Sequence, residues 1–493
     1  MRIYAKLKLQ ETHITITQNN KRSVFMSFSK EEIHNIVLKQ REYFLTNETL
    51  SVKFRKEQLK TLKRAILENQ DQLINALHED LGRCEVEAYF CDIGDVIMEI
   101  NEYIKGLKKW SKPEKHFSGL ACFPSLITRV YKLPYGVSLI IAPFNFPVLL
   151  SLGVLAASIA GGNTAIIKAS SKSASTTAAI KDIISRYFDE KYITVIDGGH
   201  DVADYCLEER VDKIFYTGSP NVAKHVMEMA SKSLTPVTLE LGGETGNWCI
   251  IRKDADLKDA ARKIAFFKIC NSGQVCININ QVAVEESIAE QFINELKKEI
   301  IRQIGEKPYL NEEYPKLINR RAFDGIKQEA EQYKDRILFG GEGDENTCKY
   351  STTIIYPVNI DEPIVNHEIF GPLLPIVPYK DNEIDQLLDT IARREHGLAF
   401  YIFTKNKKWA KRVMATQQYG GGCVNEVCLH LMVKGVPFNG TGHSGMGAYH
   451  GIWGFREFTH PSTVLYGSTR FNLSLREHPY NQKKKKTLGR FLK

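Results

Sequence analysis

Apolar residues in the first part of the chain recur mainly at helical spacing. Ser29 and Glu32 have the spacing of a capping box, which predicts the start of a helix. Gly82 ends a second, longer amphipathic pattern, as glycine commonly does after a helix. In chain order, the predicted elements are an edge strand or ordered arm at 13–18, a helix from Ser29 to about Phe44, a helix with apolar residues from Phe54 to Leu77, and a helix at 89–110.

The pattern changes at Gly136, where short apolar runs begin to alternate with helix-like segments. The runs are VSLIIA (137–142), AIIKA (165–169), ITVID (193–197) and KIFYTG (213–218), with helix-like segments at 147–160, 173–187, 201–208 and 220–232. Continuous apolar strands between helices are typical of a parallel sheet covered on both faces. The fold class is therefore α/β. Ligands of such sheets bind beyond the carboxyl ends of the strands, which directs attention to the loops at 143–147, 168–171, 198–199 and 217–220.

A second α/β segment is predicted from about Val237 to about residue 430, and glycine-rich loops follow it. Gly440, Gly442 and Gly445 match the spacing of a dinucleotide-binding fingerprint. The match lacks the strand before it and the helix start after it that give this fingerprint its function. We expect a loop whose glycines permit close backbone contacts.

The stretch at 139–160 is nearly uncharged and about as long as the ~20 residues that span a bilayer. Pro143, Asn145 and Pro147 interrupt it near its start. It therefore predicts a buried strand followed by a separate apolar helix, and not a membrane span.

Composition and charge describe an ordinary globular protein of 493 residues, 43% hydrophobic and 25% charged. The net charge is +8, and residues 481–493 contribute +6 of it from five Lys and one Arg. The remaining body is near +2, which argues against a nucleic-acid-binding surface. The basic tail at 476–493 is expected to be disordered, with weak contact to an anionic membrane as the alternative.

Ten cysteines are scattered along the chain without a CxxC pair or a cysteine–histidine cluster at zinc-ligand spacing. We predict no metal site. Without a signal peptide, the cysteines are interpreted as reduced thiols of a cytoplasmic protein.

Three stretches place chemically useful side chains among small or apolar residues: APFNFP (142–147), LELGG (239–243) and NSGQVC (271–276). A thiolate at Cys276 can attack a carbonyl carbon, and the developing alkoxide needs donors such as the Asn145 amide and the Cys276 N–H. Glu240 can then activate the water that hydrolyses the resulting thioester. Each residue also has a structural interpretation: Cys276 as a core thiol, Asn145 as a turn residue, and Glu240 as a surface acid at a strand end.

Together these stretches and three more resemble the NAD(P)-dependent aldehyde dehydrogenase superfamily from about residue 28 to 470. The motifs, in the family's order, are APFNFP, FYTGS (215–219), LELGG, NSGQVC, HEIFGP (367–372) and PFNGTGHSGMGAYHG (437–451). The last motif and the preceding NEVCLH look most like the class 3 branch, whose substrates are fatty and aromatic aldehydes.

The resemblance implies a role for each matching position. Cys276 corresponds to the nucleophile, Glu240 to the general base and Asn145 to the oxyanion donor. The implied cofactor is NAD or NADP, bound by Lys168 at the adenosine ribose, by Gly218 and Ser219 at the pyrophosphate, by Gly242, and by Glu368 and Phe370 at the nicotinamide ribose and ring.

Departures from the family pattern concern properties such as the pKa of Glu240 and the cofactor preference, and they leave the three catalytic positions intact. Glu244 stands where a lysine is usual, so it either raises the pKa of Glu240 by repulsion or points to solvent. Phe144 replaces a tryptophan, and Asn439 interrupts the usual glycine pair. Ser171 replaces an acid that often favours NAD, which makes NADP use plausible.

The resemblance also implies the domain organisation and a homodimer. The expected units are a cofactor-binding domain (28–116 and 135–237), a catalytic domain (238–435) and an oligomerisation arm (117–134 and 436–475), followed by the tail (476–493). Two alternatives stay open for function. Coenzyme A can replace water at the thioester, or the chain can be a non-catalytic scaffold of the same fold.

Overall fold

The structure is a computed structural model that describes residues 28–119, 122–471 and 473–491. The strand predicted at 13–18 lies outside these residues. The α-helices are Lys30–Leu45, Val52–Glu68, Gln70–Leu81, Glu85–Ala88, Gly94–Trp110, Val154–Gly161, Ala174–Tyr187, His200–Glu208, Pro220–Ser231, Leu257–Ile269, Ala289–Ile304, Arg320–Gln332, Ile384–Ala392, Lys407–Met414, Gly451–Glu457 and Gln482–Phe491.

The strands form three main sheets and two short two-stranded sheets. In chain order they are β1 (Glu114–Phe117), β2 (Ile127–Pro134), β3 (Val137–Ile141), β4 (Thr164–Lys168), β5 (Ile193–Ile196), β6 (Lys213–Gly218), β7 (Val237–Leu241), β8 (Asn247–Ile251), β9 (Ile279–Glu285), β10 (Ile337–Phe339), β11 (Gly343–Asp344), β12 (Lys349–Tyr350), β13 (Thr353–Ile355), β14 (Leu373–Tyr379), β15 (Ala399–Phe403), β16 (Gly421–Val424), β17 (Phe438–Asn439), β18 (Gly445–Met446), β19 (Ala448–Tyr449) and β20 (Thr459–Leu465). The two-stranded sheets are β11-β12 and β17-β19.

The first sheet has the order β18-β7-β6-β3-β4-β5. Its strands pair in parallel except β18, which runs antiparallel to β7. The four apolar runs predicted after Gly136 are β3 to β6, and helices separate them as expected. Their continuous apolar character follows from burial on both faces.

The second sheet has the order β10-β13-β14-β9-β8-β15-β16 and is parallel apart from the β10–β13 pair. One buried apolar cluster includes Ile140 of β3 and Val282 of β9, so a shared core joins the two sheets. This core places the carboxyl ends of the first sheet beside the loop that carries Cys276.

The third sheet is a small antiparallel one, of order β1-β2-β20. Several large apolar side chains on these strands are exposed to solvent: Phe117, Ile127, Leu133, Val464 and Leu465. An exposed apolar face of this kind is typical of a surface that another protein covers.

The glycine-rich segment at 440–445 is a loop that ends in β18, as expected. Gly445 has a φ of 137°, and a Cβ there would lie 2.2 Å from the carbonyl oxygen of Leu239. Glycine is therefore required for β18 to pair with β7 beside Glu240.

One helix prediction needed correction. The capping box at Ser29 and the stop at Gly82, with a φ of 66°, are present. The single helix predicted from Phe54 to Leu77 is two helices, because Asn69 leaves helical geometry (φ −120°, ψ 24°) and its side chain donates to the Ala65 carbonyl.

The basic tail contains a helix at Gln482–Phe491, where the sequence predicted disorder. Lysine is a good helix former, and Asn481 caps this helix by accepting a hydrogen bond from the N–H of Lys484 at 2.9 Å. The apolar stretch at 139–160 forms β3, a π-helical turn (Leu149–Gly153) and the helix Val154–Gly161. Among the described residues, no helix has both the length and the apolar composition needed to cross a bilayer.

Candidate active site

One cavity of about 390 Å³ lies at the carboxyl ends of the first sheet's strands. The loops after β3, β4, β5, β6 and β7 contribute to it, as the parallel topology predicts. It brings together every residue proposed from the sequence for catalysis or cofactor binding: Asn145, Lys168, Gly218, Ser219, Glu240, Gly242, Cys276, Glu368 and Phe370.

A left-handed turn presents Cys276 to this cavity. Asn271, Ser272 and Gly273 have consecutive φ values of 49°, 52° and 76°, which break the chain direction after the helix Leu257–Ile269. A Cβ at Gly273 would lie 2.1 Å from the Gly371 carbonyl oxygen, so only glycine fits there. Strained residues of this kind cluster at functional sites.

Hydrogen bonds from β8 and β15 hold the backbone on either side of the thiol. The Asn247 side chain donates from Nδ2 to the carbonyls of Cys276 and Asn278, both at 2.8 Å. Its Oδ1 accepts from the N–H of Ala399, and the Tyr401 hydroxyl donates to the Ile277 carbonyl at 2.7 Å. The position of the thiol is therefore set by the second sheet.

Asn145 follows β3 and is buried next to the same turn. Its Nδ2 donates to the Gln274 carbonyl at 3.1 Å, which orients the amide. Its own carbonyl oxygen accepts from Asn271 Nδ2 at 3.0 Å and from the Arg83 guanidinium. Among the described residues one N–H of this amide has an acceptor, and the second is available to a ligand in the cavity.

A buried ion pair helps to hold the Asn145 backbone and the turn at Asn271 in place. Arg83 is fully buried, contacts the Asp92 carboxylate, and donates from Nε to Asn271 Oδ1 at 3.0 Å. Asp92 also accepts from the N–H of Leu149 at 2.7 Å. Burial raises the pKa of Asp92 to about 6, and Arg83 opposes that rise.

Glu240 lies on β7 with only 3% of its surface exposed. Within the described part of the chain, neither of its carboxylate oxygens has a hydrogen-bond partner. Burial, with a smaller repulsion from Glu457, raises its pKa well above the usual range. An ionised carboxylate at this position is therefore a strong base.

Glu244 points to solvent, which was the second of the two expected alternatives. Its carboxylate lies 2.5 Å from Nδ1 of His443, and the residue is exposed. The carboxylate that acts on Glu240 is Glu457, which accepts from Lys213 Nζ at 3.0 Å and Thr238 Oγ1 at 2.6 Å.

The Cys276 thiol is half-buried, and its pKa is raised to about 12. Burial is the main cause, and the nearby carboxylates of Glu368 and Glu240 add to it. Backbone N–H groups of Ile277 and Cys276 act in the opposite direction. In this state the thiol is protonated at neutral pH.

The far end of the cavity fits a dinucleotide. Lys168 is buried and donates to the carbonyls of Ala169 and Gly198, both at 2.8 Å. Gly218 and Ser219 precede the helix Pro220–Ser231, whose N-terminus is suited to a phosphate group.

Near the thiol, a Cβ at Gly242 would clash with Glu368, whose Oε1 is buried without a partner among the described residues.

Polar and basic groups surround the Lys168 end. Ser170, Ser171, Lys172 and His200 line the cavity there, whereas the carboxylates that line it, Glu240 and Glu368, lie near Cys276. Phe144 packs edge-on against Phe370 at 5.9 Å.

A second cavity of about 80 Å³ also reaches Cys276. It is apolar, and one charged residue, Asp95, lines it. The other lining residues include Phe90, Phe146, Leu150, Phe266, Leu431 and Met432. Cys276 lines both cavities, so the thiol lies where they meet.

Several supporting residues were not predicted from the sequence. Arg83 and Tyr401 lie 193 and 125 residues from Cys276 in the sequence, and Asn247 lies 29 residues from it. None of the three stands in a motif of its own. Asn271 and Gln274 lie inside a predicted motif. Their polar side chains, unsuited to a core, were the available signal.

Comparison with known proteins gives one consistent result. The model of the aldehyde dehydrogenase family matches residues 10–464. The 4,4'-diaponeurosporen-aldehyde dehydrogenase of Staphylococcus aureus is 36% identical over 441 residues, 90% of this chain and 95% of that protein. The dimeric NADP-preferring aldehyde dehydrogenase of Rattus norvegicus is 36% identical over 444 residues, 88% of this chain and 95% of that protein.

The fold agrees with the sequence comparison. A solved structure of Staphylococcus aureus AldH in its substrate-bound state has a TM-score of 0.90 at 36% identity, covering 94% of this chain and 99% of that one. Proteins named as aldehyde dehydrogenase family 3 members are 34–37% identical to this chain. The chain therefore belongs to the aldehyde dehydrogenase family, in its class 3 branch, and is an enzyme that oxidises aldehydes with NAD or NADP.

Proposed function

We propose that the enzyme converts apolar aldehydes to carboxylic acids, with Cys276 as nucleophile, Asn145 as oxyanion donor and Glu240 as general base. The observation that carries this proposal is the position of Cys276 at the junction of an apolar cavity and a cavity suited to a dinucleotide. An aldehyde entering from one side meets the thiol next to the place where its hydride must leave.

In the first step the Cys276 sulfur attacks the carbonyl carbon. The developing oxyanion accepts hydrogen bonds from the free N–H of Asn145 and from the backbone N–H of Cys276. The thiol proton is released to solvent, so the unpartnered Glu240 carboxylate remains available as the base of the second step. The dinucleotide, when bound, would accept a hydride from this adduct, and loss of that hydride leaves a thioester on Cys276.

The second step releases the product from a thioester on Cys276. Glu240 removes a proton from a water molecule, which attacks the thioester carbonyl carbon. The acid leaves, and the sulfur regains a proton. Burial supports this role, since it raises the basicity of the Glu240 carboxylate.

Cofactor binding is assigned to six residues that line the larger cavity. Lys168 would hold the adenosine ribose, Gly218 and Ser219 the pyrophosphate, and Gly242, Glu368 and Phe370 the nicotinamide end. We further propose that NADP is accepted, because Ser171 and Lys172 line the Lys168 end where a carboxylate would repel a 2′-phosphate.

Apolar substrates are supported by the lining of the smaller cavity. Phenylalanine, leucine and methionine side chains dominate it. A hydrocarbon chain covered by them loses contact with water, which favours binding. The similarity to a 4,4'-diaponeurosporen-aldehyde dehydrogenase is consistent with an aldehyde substrate.

We propose a homodimer that uses the sheet β1-β2-β20. Its exposed apolar side chains need cover, and the similar enzyme of Rattus norvegicus is named as dimeric. The domain division proposed from the sequence has the cofactor-binding part at 28–116 and 135–237, the catalytic part at 238–435 and the arm at 117–134 and 436–475. Each of the three main sheets falls largely in one part.

A cytoplasmic location and a weak membrane contact complete the proposal. All ten cysteines are free, as expected of a reducing compartment. The helix Gln482–Phe491 carries Lys483 to Lys486, and each lysine near an anionic lipid surface contributes about 1 kcal/mol.

Product analysis tests the proposal and separates its alternatives. Purified enzyme, an apolar aldehyde and NAD or NADP should yield the carboxylic acid without coenzyme A. Strict dependence on coenzyme A would replace hydrolysis by acyl transfer, and no reduction of either cofactor across an aldehyde panel would favour the scaffold. Activity surviving Cys276→Ala would refute the assigned nucleophile.

A further inference from the structure

Two cysteines that take no part in the proposed reaction touch each other beside the nucleophile. The Sγ atoms of Cys91 and Cys270 lie 3.7 Å apart. Both residues line the same apolar cavity as Cys276. Neither is predicted by any family motif, and nothing in the proposed reaction explains a pair of thiols there.

The two thiols belong to structural elements that are separate in sequence. Cys91 lies in the π-helical turn Tyr89–Ile93, and Cys270 ends the helix Leu257–Ile269. Single π-helical turns are frequent at functional sites and interrupt the regular helical ladder. Cys91 therefore lies outside the regular helical ladder.

A carboxylate lies next to the buried member of the pair. The Cys270 Sγ lies 3.9 Å from Glu87 Oε1, which also accepts the N–H of Asn271 at 2.8 Å. Burial raises the pKa of Glu87, so its ionised form is a better base than an exposed glutamate. The contact with Cys91 and burial raise the pKa of Cys270 well above its usual range, so Cys270 stays protonated until it reacts, and Glu87 is the carboxylate placed to take its proton during that attack.

We propose that Cys91 and Cys270 form a reversible disulfide when a hydroperoxide enters the apolar cavity, and that this disulfide lowers aldehyde turnover. The sulfur of half-buried Cys91 attacks the peroxide oxygen, the O–O bond breaks and the thiol proton passes to the departing alkoxide, giving a sulfenic acid and an alcohol. Cys270, which loses its proton to Glu87, attacks that sulfur, and hydroxide leaves as water. Two thiols and one hydroperoxide give one disulfide, one alcohol and one water.

Forming the disulfide requires a small movement of the two cysteines, and this movement changes contacts of the active site. A disulfide has an S–S distance of about 2.05 Å, so the two sulfurs must approach by about 1.7 Å from their 3.7 Å contact. Cys270 precedes Asn271, whose Nδ2 donates to the carbonyls of Asn145 and Gln274. Drawing Cys270 toward Cys91 displaces these bonds. The loss of turnover rests on the role proposed for Asn145, whereas the disulfide itself does not.

A variant without the nucleophile tests the disulfide directly. Full-length Cys276→Ser protein is treated with hydrogen peroxide or tert-butyl hydroperoxide, digested without reductant, and its linked peptides are sequenced by mass spectrometry. A bond between Cys91 and Cys270 that disappears on thiol reduction is expected. Cys91→Ser in the same background should abolish it, and Cys428→Ser, which changes another thiol of the same cavity, should retain it.

The proposal is overturned if no bond forms between Cys91 and Cys270. It is also overturned if Cys270 forms a disulfide with a different cysteine after Cys91→Ser. The effect on turnover is measured as the ratio of activity after and before peroxide in enzyme that keeps Cys276. We expect a loss that reductant restores and that is smaller in Cys91→Ser. Equal fractional losses with and without Cys91 would overturn the inhibitory role while leaving the disulfide established.

Discussion

At the scale of single residues, the Asn145 amide is held in one orientation before any substrate binds. One N–H is committed to the Gln274 carbonyl, which leaves the other for an oxyanion. We expect Asn145→Ala to lower kcat by about 10²- to 10³-fold, the usual effect of losing one such donor. Steady-state cofactor reduction checks this.

A surface asparagine provides the control for that substitution. Asn346 lies in an exposed turn and contacts Asp344, so Asn346→Ala should leave kcat at the wild-type value. An Asn145→Ala enzyme within a factor of about 3 of wild type would show that the amide is a structural turn residue, since donor loss costs far more.

The thiol of Cys276 provides a pH test on the enzyme without cofactor. Only the thiolate alkylates, and the pKa of Cys276 is raised to about 12 by burial and by the Glu368 and Glu240 carboxylates. Its alkylation by iodoacetamide, followed on the Cys276 peptide, should therefore rise about tenfold per pH unit and still be rising at about pH 10. A plateau near pH 8 would mean that a thiolate is already present.

The sequence could predict Cys276, Glu240 and Asn145 because each stands in a short local pattern with its own chemistry. Arg83 and Asn247 could not be predicted in the same way. Their contacts with the Asn145 and Cys276 carbonyls depend on how distant segments pack. Glu244 shows the same limit, since only its pairing with His443 decided that it does not act on Glu240.

At the scale of elements, the buried pair of Arg83 and Asp92 ties the segment after Gly82 to the loop after β3. Arg83→Met leaves the Asp92 carboxylate buried without its partner. We expect a loss of about 3–5 kcal/mol in the free energy of unfolding, measured by urea denaturation.

The control for this prediction is an ion pair at the surface. Arg393 and Asp389 form an exposed pair one helical turn apart, so Arg393→Met should leave the denaturation midpoint unchanged within error. Equal effects of the two substitutions would show that Arg83 is not needed for stability.

Element boundaries were predictable where burial dictates them. The strands β3 to β6 begin and end within one residue of the predicted runs, because both faces of the sheet exclude polar residues. The break at Asn69 was missed, since the apolar spacing from Ile66 to Leu73 continues across it. The helix Gln482–Phe491 was missed because it has no buried face to impose a pattern.

At the scale of the whole molecule, the positive charge is concentrated at one end of the chain. Residues 481–493 hold +6 of the net +8, and four consecutive lysines lie on the helix Gln482–Phe491. Removal of residues 476–493 should abolish co-sedimentation with phosphatidylserine vesicles at low salt. Aldehyde oxidation in solution should be unchanged, because both cavities lie outside the deleted segment.

Neutral phosphatidylcholine vesicles are the control, and they should not bind either protein. Binding by the truncated protein equal to that of the full chain would contradict a role for the tail. Binding to both vesicle types alike would indicate an apolar contact instead of an electrostatic one.

In the proposed reaction Cys276 carries an acyl group, and Glu240 helps to hydrolyse it. The direct measurement is rapid acid quenching of Glu240→Gln enzyme mixed with aldehyde and cofactor, followed by peptide mass spectrometry. We predict a burst of one reduced cofactor per site, slow turnover afterwards, and the acyl mass on the Cys276 peptide, whereas Glu244→Gln turns over like wild type. A Glu240→Gln enzyme that turns over normally, or one with neither burst nor acyl-Cys276, would contradict these roles of Cys276 and Glu240.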